Sequence, residues 1–348
     1  MSSAGYSAGS NGGPVPVGTG KVEGAKGRPG PAGTGGDGDT GRSGRLADRI
    51  FRYCAYGAGI LILILLAAVT LFLVIRALPA FTGDPRVRHE TILSLSGGRA
   101  GGFWQYVGPL VFGTVLIAGL ALLMAFPVAV GIALFISHYA PARLSTALSY
   151  VVDLLAAIPS VVYGLWGALT LVPGITGFWK WVSRHLGWIP LFAGPVAAPA
   201  RSVATVSVVL AVMILPIITS VTRDIFVQTP RLQEEAALAL GATKWEMIRL
   251  AVIPFGRSGI ISASMLGLGR ALGETMAVLM ILSPGFSYSL RLLRPSTSQT
   301  IAANIASQFP EADGPGVATL IATGLVLFVI TFIVNYTARR ITGKVGAK

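Results

Sequence analysis

Cysteine, histidine and acidic residues are all scarce in this sequence of 348 residues. The single cysteine, Cys54, excludes an intrachain disulfide, and the three histidines stand alone, without the spacing of metal ligands. Only 14 residues are acidic against 27 Lys and Arg, and all charged residues together make up 12% of the chain. Because 53% of the residues are hydrophobic, the composition is that of a membrane protein rather than a soluble domain.

Motifs for nucleotide binding and for catalysis are also missing. The sequence has no Gly-x4-Gly-Lys-Ser/Thr phosphate loop and no His-Glu-x-x-His pair. We therefore expect neither an enzyme nor a cofactor bound by this chain. The net charge of +13 is explained by the loops of a membrane protein and does not require nucleic acid as a partner.

The N-terminal residues differ in composition from the rest of the chain. They are rich in Gly, Ser and Pro and have no large apolar cluster, so they cannot bury enough surface to offset the entropy of ordering. This predicts a disordered cytoplasmic tail over 1–50, followed by a transmembrane domain over 51–348.

Six apolar segments are long enough to cross a bilayer, which requires roughly 20 residues in a helix. They predict an all-α polytopic membrane protein that is anchored in the lipid bilayer. The predicted spans are Tyr56–Leu78, Val107–Ile136, Leu148–Leu171, Val203–Val221, Gly259–Leu282 and Val317–Tyr336.

The distribution of positive charge predicts the orientation. An even number of spans places both termini on one side, and that side holds 17 of the 27 Lys and Arg residues. Positive residues accumulate on the cytoplasmic side, so both termini and the loop over 222–258 are expected in the cytoplasm.

The loops on the other side carry two further signals. Three tryptophans near residues 179–188 are typical of an interfacial belt. The segment that begins at Pro295 predicts a short capped helix with Ile301 and Ile305 on its apolar face. Either loop could contact an extracytoplasmic partner or anchor the chain at the lipid interface.

Two charged residues, Arg270 and Glu274, fall near the middle of the fifth predicted span. A charge at mid-bilayer costs roughly 2.5–3.5 kcal/mol, so such residues normally face a cavity or a partner. Four residues apart, they would share one helix face. Gly269 and Gly273 predict a close helix approach, and Thr275 supplies a hydroxyl nearby. The pair is interpreted as part of a substrate pathway, or as an ion pair that only makes Arg270 tolerable.

The loop over 222–258 predicts two short helices joined near Gly241, because small residues and a carboxylate precede that glycine and an apolar helical pattern follows it. This loop resembles the coupling loop of ABC-importer permeases. Ala251 and Ile253 depart from the family pattern but remain apolar. The residues that match in register, and that the resemblance assigns to contact with an ATPase, are Glu235, Ala236, Ala237, Gly241 and Pro254. A helix lying on the membrane surface is the alternative interpretation of the loop.

Two further runs resemble the phosphate-specific branch of these importers. The run Gly269–Val278 is similar to that of the C-type permease subunit, and the run over 153–164 is similar to the Leu-Ala-Ala-Ile-Pro-Ser-Val-Val-Tyr-Gly stretch of the same family. The resemblance covers roughly 50–340 and implies a type I ABC-importer permease fold. Asp153, where the family commonly has Glu, is either a pathway residue or a partner for a loop cation such as Arg143.

The resemblance also implies a function and partners. The chain would be the permease subunit of a phosphate importer in a bacterial inner membrane, with Arg270 offering donors to the anion and Glu274 holding Arg270 when the path is empty. The expected partners are a sister A-type permease, an ATPase dimer that binds ATP and Mg, and an extracytoplasmic phosphate-binding protein. Another oxyanion, such as molybdate or sulfate, is the nearest alternative. An ion-coupled secondary transporter is a more distant one, because no internal repeat is evident.

Overall fold

The computed structural model describes residues 40–345, with side chains from 49 to 340. This part of the chain is α-helical and contains no β-strand. Most of the predicted tail, residues 1–39, lies outside the described residues. Its last part does not, since a helix begins at Thr40.

The described helices follow one another with short connections. In chain order they are α1 (Thr40–Ala77), α2 (Pro79–Thr82), α3 (Pro85–Ser96), α4 (Phe103–Leu134), α5 (Ala142–Ala157), α6 (Ser160–Trp166), α7 (Val172–Leu186), α8 (Val203–Val227), α9 (Arg231–Ala239), α10 (Lys244–Met247), α11 (Ile253–Leu272), α12 (Met276–Ile281), α13 (Ile301–Gln308) and α14 (Gly314–Val345). Single π-helical turns continue three of them, at Phe135–Tyr139, Gly167–Leu171 and Ile248–Val252.

The chain divides into two compact units within α1. The first unit is Met1–Leu63, of which the structure describes only the first part of α1. The second unit is Ile64–Lys348 and contains all the other helices.

Six helical segments of the described chain are long and apolar enough to cross a membrane, which confirms the predicted number. They are Arg49–Thr82, Phe103–Tyr139, Ser160–Leu186, Val203–Val227, Lys244–Leu272 and Gly314–Arg340. The predicted third and fifth spans are wrong in their bounds, because each of them crosses a break between two helices. A hydropathy pattern registers apolar length and does not register such breaks.

The core is built around α8, which packs against α4 and α11. The residues at the centre of α8, such as Leu210, Ile214 and Ile218, are fully buried. Alanines at every fourth position of α4 form a ridge of small side chains against α8, and Ala121, Ala125, Ala129 and Ala133 are all fully buried. Small residues let two helices approach closely in a membrane, where packing rather than the hydrophobic effect holds helices together.

The sequence predicts a close helix approach at Gly269 and Gly273. In the structure, α11 approaches α8 at another glycine, Gly267. A Cβ added at Gly267 would lie 2.8 Å from Ile218, whereas one added at Gly269 would meet nothing within 4 Å. At Gly273 the only neighbour within 4 Å would be the backbone oxygen of Gly269. Within the described chain the predicted close approach at Gly269 and Gly273 is not made, and the contact with α8 lies on the opposite face of α11.

The first break lies between α5 and α6, at Ile158 and Pro159. A residue before proline is pushed out of the helical region, and Ile158 has an extended ψ of 131°. The Tyr163 hydroxyl donates to the Leu155 carbonyl at 2.9 Å and so bridges the break. This hydrogen bond fixes α6 relative to the end of α5.

Candidate translocation and coupling sites

The second break separates α11 from α12 and lies directly after Arg270. Gly273 ends α11, and its N–H donates to the Gly269 carbonyl at 3.3 Å. The Thr275 hydroxyl donates to the Gly273 carbonyl at 3.3 Å, and α12 begins at Met276. The predicted fifth span is thus a discontinuous helix, and residues 273–275 form the connection between its halves.

Arg270 lies in the last turn of α11, where the negative end of the helix dipole favours a cation. Its Nε is buried and has no hydrogen-bond partner among the described residues. A buried donor without an acceptor costs roughly 1–3 kcal/mol, and more when it is charged. Because the side chain lines a cavity of about 670 Å³, an anion in that cavity could supply the missing acceptor.

Glu274 is only 6% exposed, and it is engaged with the backbone of α12. Its Oε1 accepts from the N–H of Ala277 at 3.1 Å. The described residues contain no ion pair between Glu274 and Arg270. The expected shared helix face and ion pair are wrong for this structure, because the break turns the carboxylate towards the unsatisfied N–H groups at the start of α12.

Asp153 lies on α5 and joins this helix to α8. It accepts from the Ser220 hydroxyl at 2.6 Å and pairs with Arg223 at 3.4 Å. Arg223 also pairs with Asp224 at 2.7 Å. The cation that Asp153 meets is therefore Arg223 and not Arg143, and the carboxylate acts as a bridge between two helices.

The coupling loop contains the two short helices expected from its sequence, α9 and α10. Gly241 joins them with a φ of +85°, in the left-handed region that favours glycine. Thr243 caps α10: its hydroxyl accepts from the Glu246 N–H at 3.3 Å, and the Glu246 carboxylate accepts from the Thr243 N–H at 2.8 Å. Pro254 lies in the first turn of α11, where its missing N–H is not needed.

One face of the loop packs on the membrane part of the chain and the other is exposed. Met247 and Ile248 are buried beside Ala237, whereas Leu240 is 90% exposed. A groove of about 960 Å³ runs between α9 and the turn after α10, with Ala236 and Gly241 in its wall. The side chain of Glu235 is exposed and makes no hydrogen bond or ion pair within the described part of the chain. The loop thus presents small and apolar residues and a free carboxylate.

Sequence reasoning missed the contact that holds α9 in place. His138, in the π-helical turn that follows α4, donates from Nε2 to Glu234 Oε1 at 3.3 Å. The Nδ1 of the same ring lies 2.7 Å from the Ser137 hydroxyl. The next residue, Tyr139, places its ring 5.0 Å from the Lys244 ammonium. The end of α4 therefore contacts both helices of the loop. No local pattern reveals a contact between residues 96 positions apart.

The two segments predicted on the side opposite the coupling loop, near Trp179 and after Pro295, are more deeply buried than expected. Trp179 is buried, and its indole N–H donates to the Thr205 hydroxyl at 2.9 Å. Trp181 and Trp188 remain exposed. The predicted capped helix is α13, and its N-terminal cap is Thr300 rather than a residue near Pro295. Ile301 and Asn304 on α13 are fully buried, so this helix packs within the chain instead of lying on a surface.

Comparisons with known proteins give the family of this architecture. Residues 125–343 match the family model described as "Binding-protein-dependent transport system inner membrane component". The phosphate transport system permease protein PstC 2 of Mycobacterium tuberculosis is 44% identical over 314 residues, which covers 87% of this chain and 94% of that protein. The phosphate transport system permease protein PstC of Mesorhizobium japonicum is 38% identical over 322 residues, covering 88% of this chain and 95% of that protein.

Solved structures support the fold. A bacterial alginate ABC transporter, in complex with an alginate pentasaccharide-bound periplasmic protein, contains a chain that aligns with a TM-score of 0.56. The identity is 18%, and the alignment covers 85% of this chain and 96% of that one. The chain that carries this helix order and these two breaks therefore has the architecture of an ABC-importer permease.

Proposed function

The chain belongs to the binding-protein-dependent transport system inner membrane components, and from this we propose that it is a permease subunit of an ATP-driven phosphate importer. The observation that carries the proposal is the 44% identity to a phosphate transport permease over 87% of the chain. The protein is a multi-pass membrane protein and is expected in a bacterial inner membrane.

Arg270 is the residue proposed to meet the anion. Phosphate carries one to two negative charges and must shed water to cross the bilayer. A guanidinium offers a planar fork of donors to such an oxyanion, and the buried Nε of Arg270 lacks an acceptor among the residues that the structure describes. The break after Leu272 places this group at the end of a half-helix, where a membrane protein tolerates irregular backbone only beside a cavity or other protein. Thr275 and Asp153 are proposed as further residues of the path.

The coupling loop is proposed to receive the motion of a separate ATPase. Its exposed groove and the carboxylate of Glu235 would dock against that subunit, with Ala236, Ala237 and Gly241 at the contact. ATP binding would close the ATPase pair, and the loop would pass this motion to α11, which begins near Pro254. The chain is then one part of a two-state machine whose ligand binds elsewhere.

The proposed partners follow from this mechanism. They are a sister A-type permease that completes the path, an ATPase dimer that binds ATP and Mg, and an extracytoplasmic phosphate-binding protein. The ATPase must reach the coupling loop, so the loop and both chain termini are placed in the cytoplasm, in agreement with the excess of Lys and Arg on that side.

Uptake of radioactive phosphate by cells that carry the assembled transporter tests the proposal. Wild type should take up phosphate, and an excess of sulfate or molybdate should not compete. Arg270→Gln should abolish uptake while the complex still assembles, because the amide retains polarity but loses the charge. Arg257→Gln is the matched control, since Arg257 lies on the same helix and is exposed.

Two results would contradict the proposal. Normal uptake by Arg270→Gln would remove Arg270 from the path. Failure of the wild type to take up phosphate, or competition by molybdate or sulfate at lower concentrations than unlabelled phosphate, would assign the transporter to another oxyanion.

A further inference from the structure

The cavity beside Arg270 extends to a second arginine. This cavity of about 670 Å³ lies between α5, α8, α11 and α14. Arg270 and Ser262 of α11 line one side of it, and Asn335 and Arg339 of α14 line the other. None of the described residues that line it is acidic. A cavity with two cations and no carboxylate in its described wall is suited to an anion.

The chemistry of the wall agrees with this. The two guanidinium groups, the Asn335 amide and the Ser262 hydroxyl all carry donors, and no described residue offers an acceptor to the buried Nε of Arg270. The rest of the described wall is apolar, and it includes Ile217, Met265 and Leu266. Apolar surroundings strengthen a charge-assisted hydrogen bond, because they lower the local dielectric constant.

A positive charge near the end of a terminal span also has a simpler explanation, since Lys and Arg accumulate there to fix orientation. The chain offers an internal comparison, because Arg340 follows Arg339 directly. Arg340 does not line the cavity. Its Nε donates to the Tyr336 hydroxyl at 2.7 Å, and its guanidinium lies 5.0 Å from the centre of the same ring. Arg339 and Arg340 are neighbours in the sequence and carry the same charge, but Arg339 lines the cavity and Arg340 does not.

We propose that this cavity binds a phosphate-type oxyanion, and that Arg339 and Asn335 form a second station that receives the anion from Arg270. The inference rests on the proposed function and adds to it a site on the last span. A pathway with successive sites of moderate strength lets an ion enter and leave, whereas a single strong site would retain it.

Thiol protection in the assembled transporter tests the second station. Cys54→Ser removes the only cysteine, and Leu266→Cys then places one thiol in the cavity wall without removing a hydrogen-bond donor. In vesicles of neutral phosphatidylcholine, inorganic phosphate should slow the reaction of this thiol with a small charged reagent. Adding Arg339→Gln should raise the phosphate concentration for half protection roughly tenfold, the effect of losing one charge-assisted hydrogen bond. Adding Arg340→Gln should leave it unchanged.

Several outcomes would overturn the inference. Phosphate could fail to protect the thiol, or Arg340→Gln could weaken protection as much as Arg339→Gln, which would indicate surface charge alone. Protection that requires anionic lipid and does not respond to phosphate would assign the cavity to a lipid headgroup. If Leu266→Cys does not assemble, Met265→Cys probes the same wall. Wild-type uptake of phosphate together with any of these results would leave the proposed function standing and remove only the second station.

Discussion

The Glu274 carboxylate accepts a hydrogen bond from the backbone and, among the described residues, does not pair with the nearby Arg270. Four residues separate it from Arg270 in the sequence, yet its Oε1 accepts from the Ala277 N–H at 3.1 Å. The first N–H groups of a helix have no intrahelical partner, so a buried carboxylate at that position satisfies one of them. Arg270 is left with a buried Nε that has no acceptor among the described residues and with a cavity beside it, and these two observations are the basis of the proposed anion site.

Substitutions of Glu274 distinguish a backbone cap from a counter-ion. Glu274→Gln retains an acceptor oxygen and should keep the thermal stability of the purified complex close to that of wild type. Glu274→Ala removes the acceptor and should cost about 1 kcal/mol, a usual value for a lost helix cap. Thermal unfolding in detergent, followed by size-exclusion chromatography, measures both variants. Equal destabilisation by Gln and Ala would contradict the cap and indicate that the negative charge itself is required.

At the level of elements, the coupling loop depends on the turn at Gly241. A Cβ added there would meet nothing within 4 Å, so the only penalty for a side chain is the left-handed backbone. Gly241→Ala should therefore cost about 1–2 kcal/mol in the turn. We expect weaker binding of the ATPase subunit to the permease, with the spans unaffected.

A matched glycine supplies the control for this prediction. Gly131 also has open space around it but lies within α4 at a helical φ, where alanine is favoured. Gly131→Ala should leave ATPase binding intact. If both variants bind the ATPase equally well in a pull-down titration, the turn at Gly241 does not shape the docking surface.

Adjacent carboxylates of α9 should have separable roles. Glu234 pairs with His138, so Glu234→Ala should loosen the loop and increase hydrogen exchange over 231–250 even in the permease without its ATPase. Glu235 has no partner in the described chain, so Glu235→Ala should leave exchange unchanged and weaken ATPase binding. Reversed effects of the two variants would contradict the assignment.

The sequence was sufficient to predict the elements whose causes are local. Apolar length predicts six spans, and the small residues before Gly241 predict two helices and a turn. Pro159 lies inside a predicted span, where a proline is expected to kink the helix, whereas the break at Gly273 was missed although it also has a local cause. A run that remains apolar hides a break, because hydropathy responds to the side chains and not to the backbone conformation.

The candidate sites divide in the same way. Arg270 is identified by its charge inside an apolar run, since the bilayer makes that position costly. That its Nε has no acceptor among the described residues could not be predicted, because the choice of Glu274 between a guanidinium and an N–H depends on the break. The pair of His138 and Glu234 and the pair of Asp153 and Arg223 join distant segments, and only the packing of α4, α5 and α8 brings them together.

For the whole molecule, the orientation in the membrane remains a prediction that can be measured directly. In a Cys54→Ser background, Leu240→Cys in the coupling loop should react with an impermeant thiol reagent only from the cytoplasmic side. Trp188→Cys should react only from the opposite side, since both positions are highly exposed and the single span α8 separates them in the sequence. Labelling of both thiols from one side, or the reverse pattern, would overturn the proposed topology.

The central claim is that this chain is a gate moved by an ATPase and not by an ion gradient. The most direct measurement is phosphate uptake into proteoliposomes that contain the complete transporter, with the binding protein on the substrate side. We expect uptake with hydrolysable ATP, and none with a non-hydrolysable analogue or with an ion gradient alone. Phosphate uptake by the purified chain alone, driven by an ion gradient and without any ATPase, would contradict the account.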